Sequence, residues 1–345
     1  MPDSPSDSPS AATDTPAVPS LGVRAPSLFR FSIEGRHAPA LFVVGWLATI
    51  VGTALALVGL LSGPSLATAA LLLIGFALLS AGFLLLGGSQ AIDRRAAHEA
   101  YAGPSPVLLF LAIVSITLLV AGIVGTILDA LGVEVYPPVG DLVSVGLQAV
   151  VFIAVVRFMV VGPGAVTWSE MGLTSEPRRI VGGLLSGAVF ALPIIVVTGL
   201  LAAVLVPLIG QTPPSPLPPT GTATGLGLHL IAGAGIAPFA EEVVFRGAAL
   251  TAWLRTSGPT SAIVRSAILF AAAHALGITG ATFGQAFGVA VVATVARLPV
   301  ALALGWVYVR TGTLWGSIGL HAAFNAILIV VSEAGLAAPT AMFWG

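Results

Sequence analysis

The sequence has no cysteine and no lysine, and charged residues of every kind make up only 8% of its 345 positions. Without cysteine there can be no disulfide framework, thiol nucleophile or thiolate metal site. All thirteen basic residues are arginine, which removes lysine-based catalysis. The shortage of charge excludes more. A soluble domain carries about 25% charged residues, whereas this chain is 57% hydrophobic with a mean hydropathy of +1.05. It lacks the polar surface to stay in water, so the bilayer must be its solvent. A net charge of −1 leaves no bulk attraction for nucleic acid.

What is present is a series of apolar runs. Residues 1–39 read as a disordered cytoplasmic tail, rich in Ser, Pro, Asp and Thr at its start and with no apolar segment of a signal peptide. From Ala40 onward, runs of roughly 20 residues recur, the length an α-helix needs to cross about 30 Å of hydrocarbon. They predict an all-α, polytopic membrane bundle of about nine transmembrane helices, with eight possible. Period-two polarity, which a membrane β-barrel requires, is missing from runs such as Leu71-Leu72-Leu73-Ile74. The expected division is four helices over 40–165 and a core of five over 166–335.

Arginine alternates between connections. It stands before the first run (Arg24, Arg30, Arg36) and after the second (Arg94, Arg95), fourth (Arg178, Arg179), sixth (Arg255) and eighth (Arg310). The connections around Gly63, Glu134, Pro213 and Gly280 have none. Arginine is retained on the cytoplasmic side, so the amino terminus is expected in the cytoplasm and the carboxyl terminus outside, in the plasma membrane.

An ionised group at mid-helix costs on the order of 2.5–3.5 kcal/mol even on the lenient insertion scale, so each needs a partner or a purpose. The sixth run carries Glu241, Glu242 and Arg246, the seventh His274, the eighth Arg297, and the ninth His321 and Asn325. Glu242 and Arg246 are four apart, on one helical face, and read as a structural ion pair. Glu241 lies about 140° from Arg246 around the axis and faces elsewhere. Counted along their helices, Glu241, His274, His321 and Asn325 fall in one layer of the bilayer. The set can activate water with a carboxylate and an imidazole and stabilise an oxyanion with imidazole and carboxamide, the equipment for peptide hydrolysis. Alternatively Glu241, His274 and His321 could ligate a catalytic zinc ion; the residues leave both open. His229 has no comparable partners and is read as interfacial. Arg297, beside Pro299, can brace a helix break, pair with Glu242 or contact substrate, with bracing or pairing preferred.

These residues fall into three motifs. Glu241-Glu242-x-x-x-Arg246 resembles the first motif of the CPBP (CAAX protease and bacteriocin-processing, or Abi) intramembrane proteases. Phe270-x-x-x-His274 resembles the second and His321-x-x-x-Asn325 the third. The resemblance covers about residues 230–330 and includes type II CAAX prenyl endopeptidases. It implies Glu241 and His274 as the water-activating pair and His321 with Asn325 as oxyanion or ligand groups. It further implies a membrane-bound protein or peptide substrate, prenylated only where the cell makes one, cleaved near the cytoplasmic face. A non-catalytic scaffold or bacteriocin-immunity protein using the same polar core is the alternative. A transporter is disfavoured by the lack of an internal repeat, and a rhomboid-type role for Ser317 by His321 sitting one turn away on the same helix.

Overall fold

The computed structural model describes residues 33, 35–215 and 217–335. Most of the tail expected over 1–39 lies outside the described residues. Among the described residues the chain passes through the bundle nine times. Eight passes are helices long and apolar enough to cross a membrane: α1 (Pro39–Leu61), α2 (Leu66–Ala96), α3 (Pro106–Ala130), α4 (Val139–Val161), α5 (Pro177–Ile209), α6 (Ala223–Leu254), α8 (Phe283–Thr311) and α9 (Leu314–Glu333). The seventh, α7 (Pro259–Ala273), is apolar but short, and Ala275–Thr282 completes its pass. The count of nine therefore holds for passes, and eight for full-length helices.

Local chemistry sets the helix ends. Ser105, Thr222 and Thr282 cap α3, α6 and α8 by accepting from the backbone N–H three residues on, at 3.3, 3.0 and 3.2 Å. Proline occupies the first turn of α1, α3, α5 and α7, where its missing N–H costs nothing. Gly312 ends α8 at φ +65°, a left-handed conformation that spares a Cβ clash. Pro299 lies inside α8, which runs on past it to Thr311, so the expected helix break does not occur. Large apolar side chains such as Leu61, Leu200 and Leu208 point outward, as lipid contact requires.

In lipid there is no hydrophobic drive between helices, so small residues govern how closely they pack. The approach of α5 to α9 is closest. A Cβ on Gly187 would overlap the carbonyl of Gly316, and one on Gly319 would overlap the backbone of Leu184. This contact holds α9 and its polar residues in place.

The two ends of the bundle differ as the arginine pattern predicts. At one end Arg95 donates to the Pro163 carbonyl (2.7 Å), Arg255 to the Ala165 carbonyl (2.7 Å) and to Glu170 (2.5 Å), and Thr313 to the Gly172 carbonyl (3.1 Å). The opposite, arginine-free end joins Thr220 to Glu333 (2.9 Å) and Asp141 to His229 (3.0 Å).

Candidate functional site

Three helices bring the predicted residues together. Glu241 and Glu242 lie in a short α-helical stretch of α6, Ala237–Glu242, between segments at Leu230–Ile236 and Val243–Leu250 where hydrogen bonding widens to i→i+5. Such widened turns concentrate at functional sites. His274 is the first residue beyond α7, and its Nδ1 donates to the Phe270 carbonyl at 2.8 Å. That bond leaves Nε2 as the acceptor.

Glu242 is the organising residue. Its side chain is fully buried, and it accepts from Arg246 Nη1 at 2.8 Å, from His321 Nδ1 at 2.8 Å and from the Ser317 hydroxyl. The ion pair with Arg246 is therefore as expected, but the links to His321 and Ser317 were not foreseen. The bond to His321 fixes its tautomer and turns Nε2 toward Glu241. Arg246 also donates to the Ala301 carbonyl at 3.1 Å, and its guanidinium lies 4.4 Å from the centre of the Phe270 ring.

The consequence is a convergence of acceptors. Glu241 Oε2 lies 3.9 Å from His274 Nε2 and 3.9 Å from His321 Nε2, and it receives no hydrogen bond from the protein. Three acceptors aimed at one another need bridging protons or a cation. The donor types suit zinc, and each imidazole Nδ1 is already anchored as a zinc ligand's would be. The spacing favours neither zinc nor water. Two ligands of a tetrahedral zinc at about 2.1 Å stand about 3.4 Å apart, and among the described residues no group of three or more His, Cys, Asp or Glu is placed to hold a metal ion. Two partners of a water with hydrogen bonds of about 2.8 Å stand about 4.6 Å apart at a tetrahedral angle, so the 3.9 Å separations lie between the two values and leave zinc and water both open.

Asn325 completes the set, its Nδ2 donating to the Gly233 carbonyl at 2.8 Å. Glu241, His274, His321 and Asn325 all line one cavity of about 240 Å³, and Arg297 lies in its wall with Nη1 donating to the Ala293 carbonyl of its own helix at 3.0 Å. His229 departs from the sequence reading: it is 1% exposed and joined to Asp141. The two are 88 positions apart, a pairing no local pattern announces. Ser317 and Phe270 were also missed as partners, although each stands four residues before a site histidine.

Comparison with known proteins gives one match. Residues 223–327, from α6 into α9, match the family model described as Type II CAAX prenyl endopeptidase Rce1-like. This stretch, about 30% of the chain, is similar to that family. Its match spans all three motifs and all four converging residues, and the first four helices lie outside it. The chain is thus an integral membrane protein with a stretch similar to a membrane protease family. No curated protein and no solved structure matches the chain.

Proposed function

We propose that the protein is an intramembrane endopeptidase in which Glu241 and His274 activate water. The observation that carries this reading is the approach of Glu241 Oε2 to two fixed imidazole nitrogens at 3.9 Å inside a shared cavity. Water held there gives one proton to Glu241 while its other O–H points at His274 Nε2. Its oxygen bonds to the peptide carbonyl carbon, and the electron pair moves to the carbonyl oxygen. For this step His321 is the imidazolium: its Nδ1–H is held by Glu242, and its Nε2–H, taken up from solvent before substrate binds, meets that oxygen beside the second N–H of Asn325. The C–N bond then breaks, and the proton on Glu241 passes to the leaving nitrogen. Glu242 and Arg246 hold His321 and take no part in the proton transfers.

The domain arrangement we favour sets α5–α9 over 166–335 as the proteolytic core, with α1–α4 as an accessory unit. The substrate is a membrane-associated protein or peptide. Arginine placement supports a plasma-membrane protein with its amino terminus in the cytoplasm and its carboxyl terminus outside.

The test uses purified protein in lipid vesicles with prenylated and unprenylated tail peptides and transmembrane peptides, with and without a strong chelator. The account predicts hydrolysis that survives chelation. Activity lost on chelation and restored by zinc would make Glu241, His274 and His321 metal ligands instead. Equal turnover by wild type and His274→Ala would remove the proposed pair.

A further inference from the structure

The cavity shows from which side the site is reached. Its wall on α4 is Asp141, Ser144, Val145 and Gln148, at positions i, i+3, i+4 and i+7 of one helical face. From the start of α4 at the arginine-free end, these residues lie roughly 3 to 14 Å deep at about 1.5 Å per residue. Three polar side chains on one face of a transmembrane helix face water or protein, never lipid. Leu217, in the connection at the same end, closes the ring.

The other direction is blocked. Beyond Glu241, every α6 residue from Glu242 to Ala252 is buried, with Glu242 and Arg246 at 0% exposure. Phe245 packs edge-on against Phe270, and Thr251 bonds to the Tyr308 hydroxyl at 2.7 Å. No residue of α6 after Glu241, and none of α9 before His321, lines the cavity. The short α7 accounts for the asymmetry: it starts at the arginine-bearing end and stops at the depth of the site, so no seventh helix fills the space on the far side.

We propose that the site takes its substrate from the arginine-free, extracytoplasmic side, as an extended peptide segment exposed there, and not from the cytoplasm. This rests on the protease reading of the same cavity and reverses the expectation, drawn from the family resemblance, of cleavage near the cytoplasmic face. A cavity of about 240 Å³ is smaller than the roughly 300–1,000 Å³ of ligand pockets. It admits a single unfolded segment and excludes a folded domain. The Asp141–His229 pair at its mouth ties α4 to α6 and holds the opening.

The absence of cysteine makes the test clean, because each introduced cysteine is the sole thiol. Ser144→Cys reports the mouth, Gln148→Cys the passage, and Ser175→Cys, next to the arginine pair at 178 and 179, the opposite end. With a membrane-impermeant maleimide, Ser144→Cys and Gln148→Cys should label in intact cells and right-side-out vesicles but not in inverted vesicles. Ser175→Cys should do the reverse, and all three should label fully once denatured. Labelling of the cavity positions only from the Ser175→Cys side, or from neither side, would overturn the proposal. Labelling needs no turnover. A protein that labels as expected yet cleaves nothing contradicts the protease reading alone, and one that cleaves peptides but labels from the cytoplasm contradicts the access side alone.

Discussion

Glu242 accepts hydrogen bonds from three side chains with none of its surface exposed. Its replacement therefore has two separable effects. Glu242→Gln leaves Arg246 buried without its counter-charge, a loss of about 3–5 kcal/mol for breaking a buried pair, which thermal unfolding in detergent would register. It also leaves a single neutral amide oxygen to serve both Arg246 and His321 Nδ1, so peptide hydrolysis should fall even at temperatures where the variant is folded. Ser317→Ala removes one neutral donor, costs about 1.5–3 kcal/mol and leaves the 2.8 Å bond from His321 in place. Its turnover should stay close to wild type at those temperatures, and a Ser317→Ala defect as deep as that of Glu242→Gln would contradict the positioning role of Glu242. The residues of the site could be read from sequence because lipid makes polar groups conspicuous: Glu241, His274, His321 and Asn325 stood out against apolar neighbours. Their hydrogen-bond partners did not, since Ser317 and the Phe270 carbonyl are ordinary groups whose significance is only their position.

At the scale of elements, the approach of α5 to α9 is limited by backbone atoms, which cannot yield as a flexible side chain can. Gly319→Ala should cost about 1–3 kcal/mol by overpacking, seen as a lower Tm in detergent, with loss of hydrolysis as α9 shifts. The same substitution at Gly182, where an added Cβ meets open space, should leave both unchanged. The connection between α4 and α5 carries a carboxyl whose titration is shifted. The Thr167 backbone N–H, then its hydroxyl, then Arg255 hold the Glu170 carboxyl below its usual range. A depressed carboxylate contributes stability that is complete above the unfolded value near 4.3 and is lost as pH falls through the folded value. Glu170 is about half exposed, so the contribution is at most about 1 kcal/mol. Glu170→Gln should lower Tm slightly at pH 7 and converge with wild type in strong acid. Most helix boundaries were legible from hydropathy, although α2 runs on through Gln90, Asp93 and Arg94 to Ala96 after its apolar run ends. The early stop of α7 was not, because Ala275–Thr282 continues with small and apolar residues and only the loss of i→i+4 bonding marks the end.

For the molecule as a whole, the alternation of arginine corresponds to a physical division: connections with arginine gather at one end of the bundle, and those without gather at the other. Sequence carried that division because the membrane imposes it on composition. It carried the depth of the site for the same reason. The direction of the cavity depends on which helix is short and which faces meet, and the polar stripe on α4 acquires meaning only once α4 is seen beside α6. The central claim, that Glu241 activates water at this meeting point of three helices, is tested most directly by peptide hydrolysis in vesicles with Glu241→Gln, which keeps the side chain's shape and removes its basicity. The account predicts a fall in kcat of about 10²–10⁴-fold with an unchanged unfolding temperature; turnover equal to wild type would contradict it.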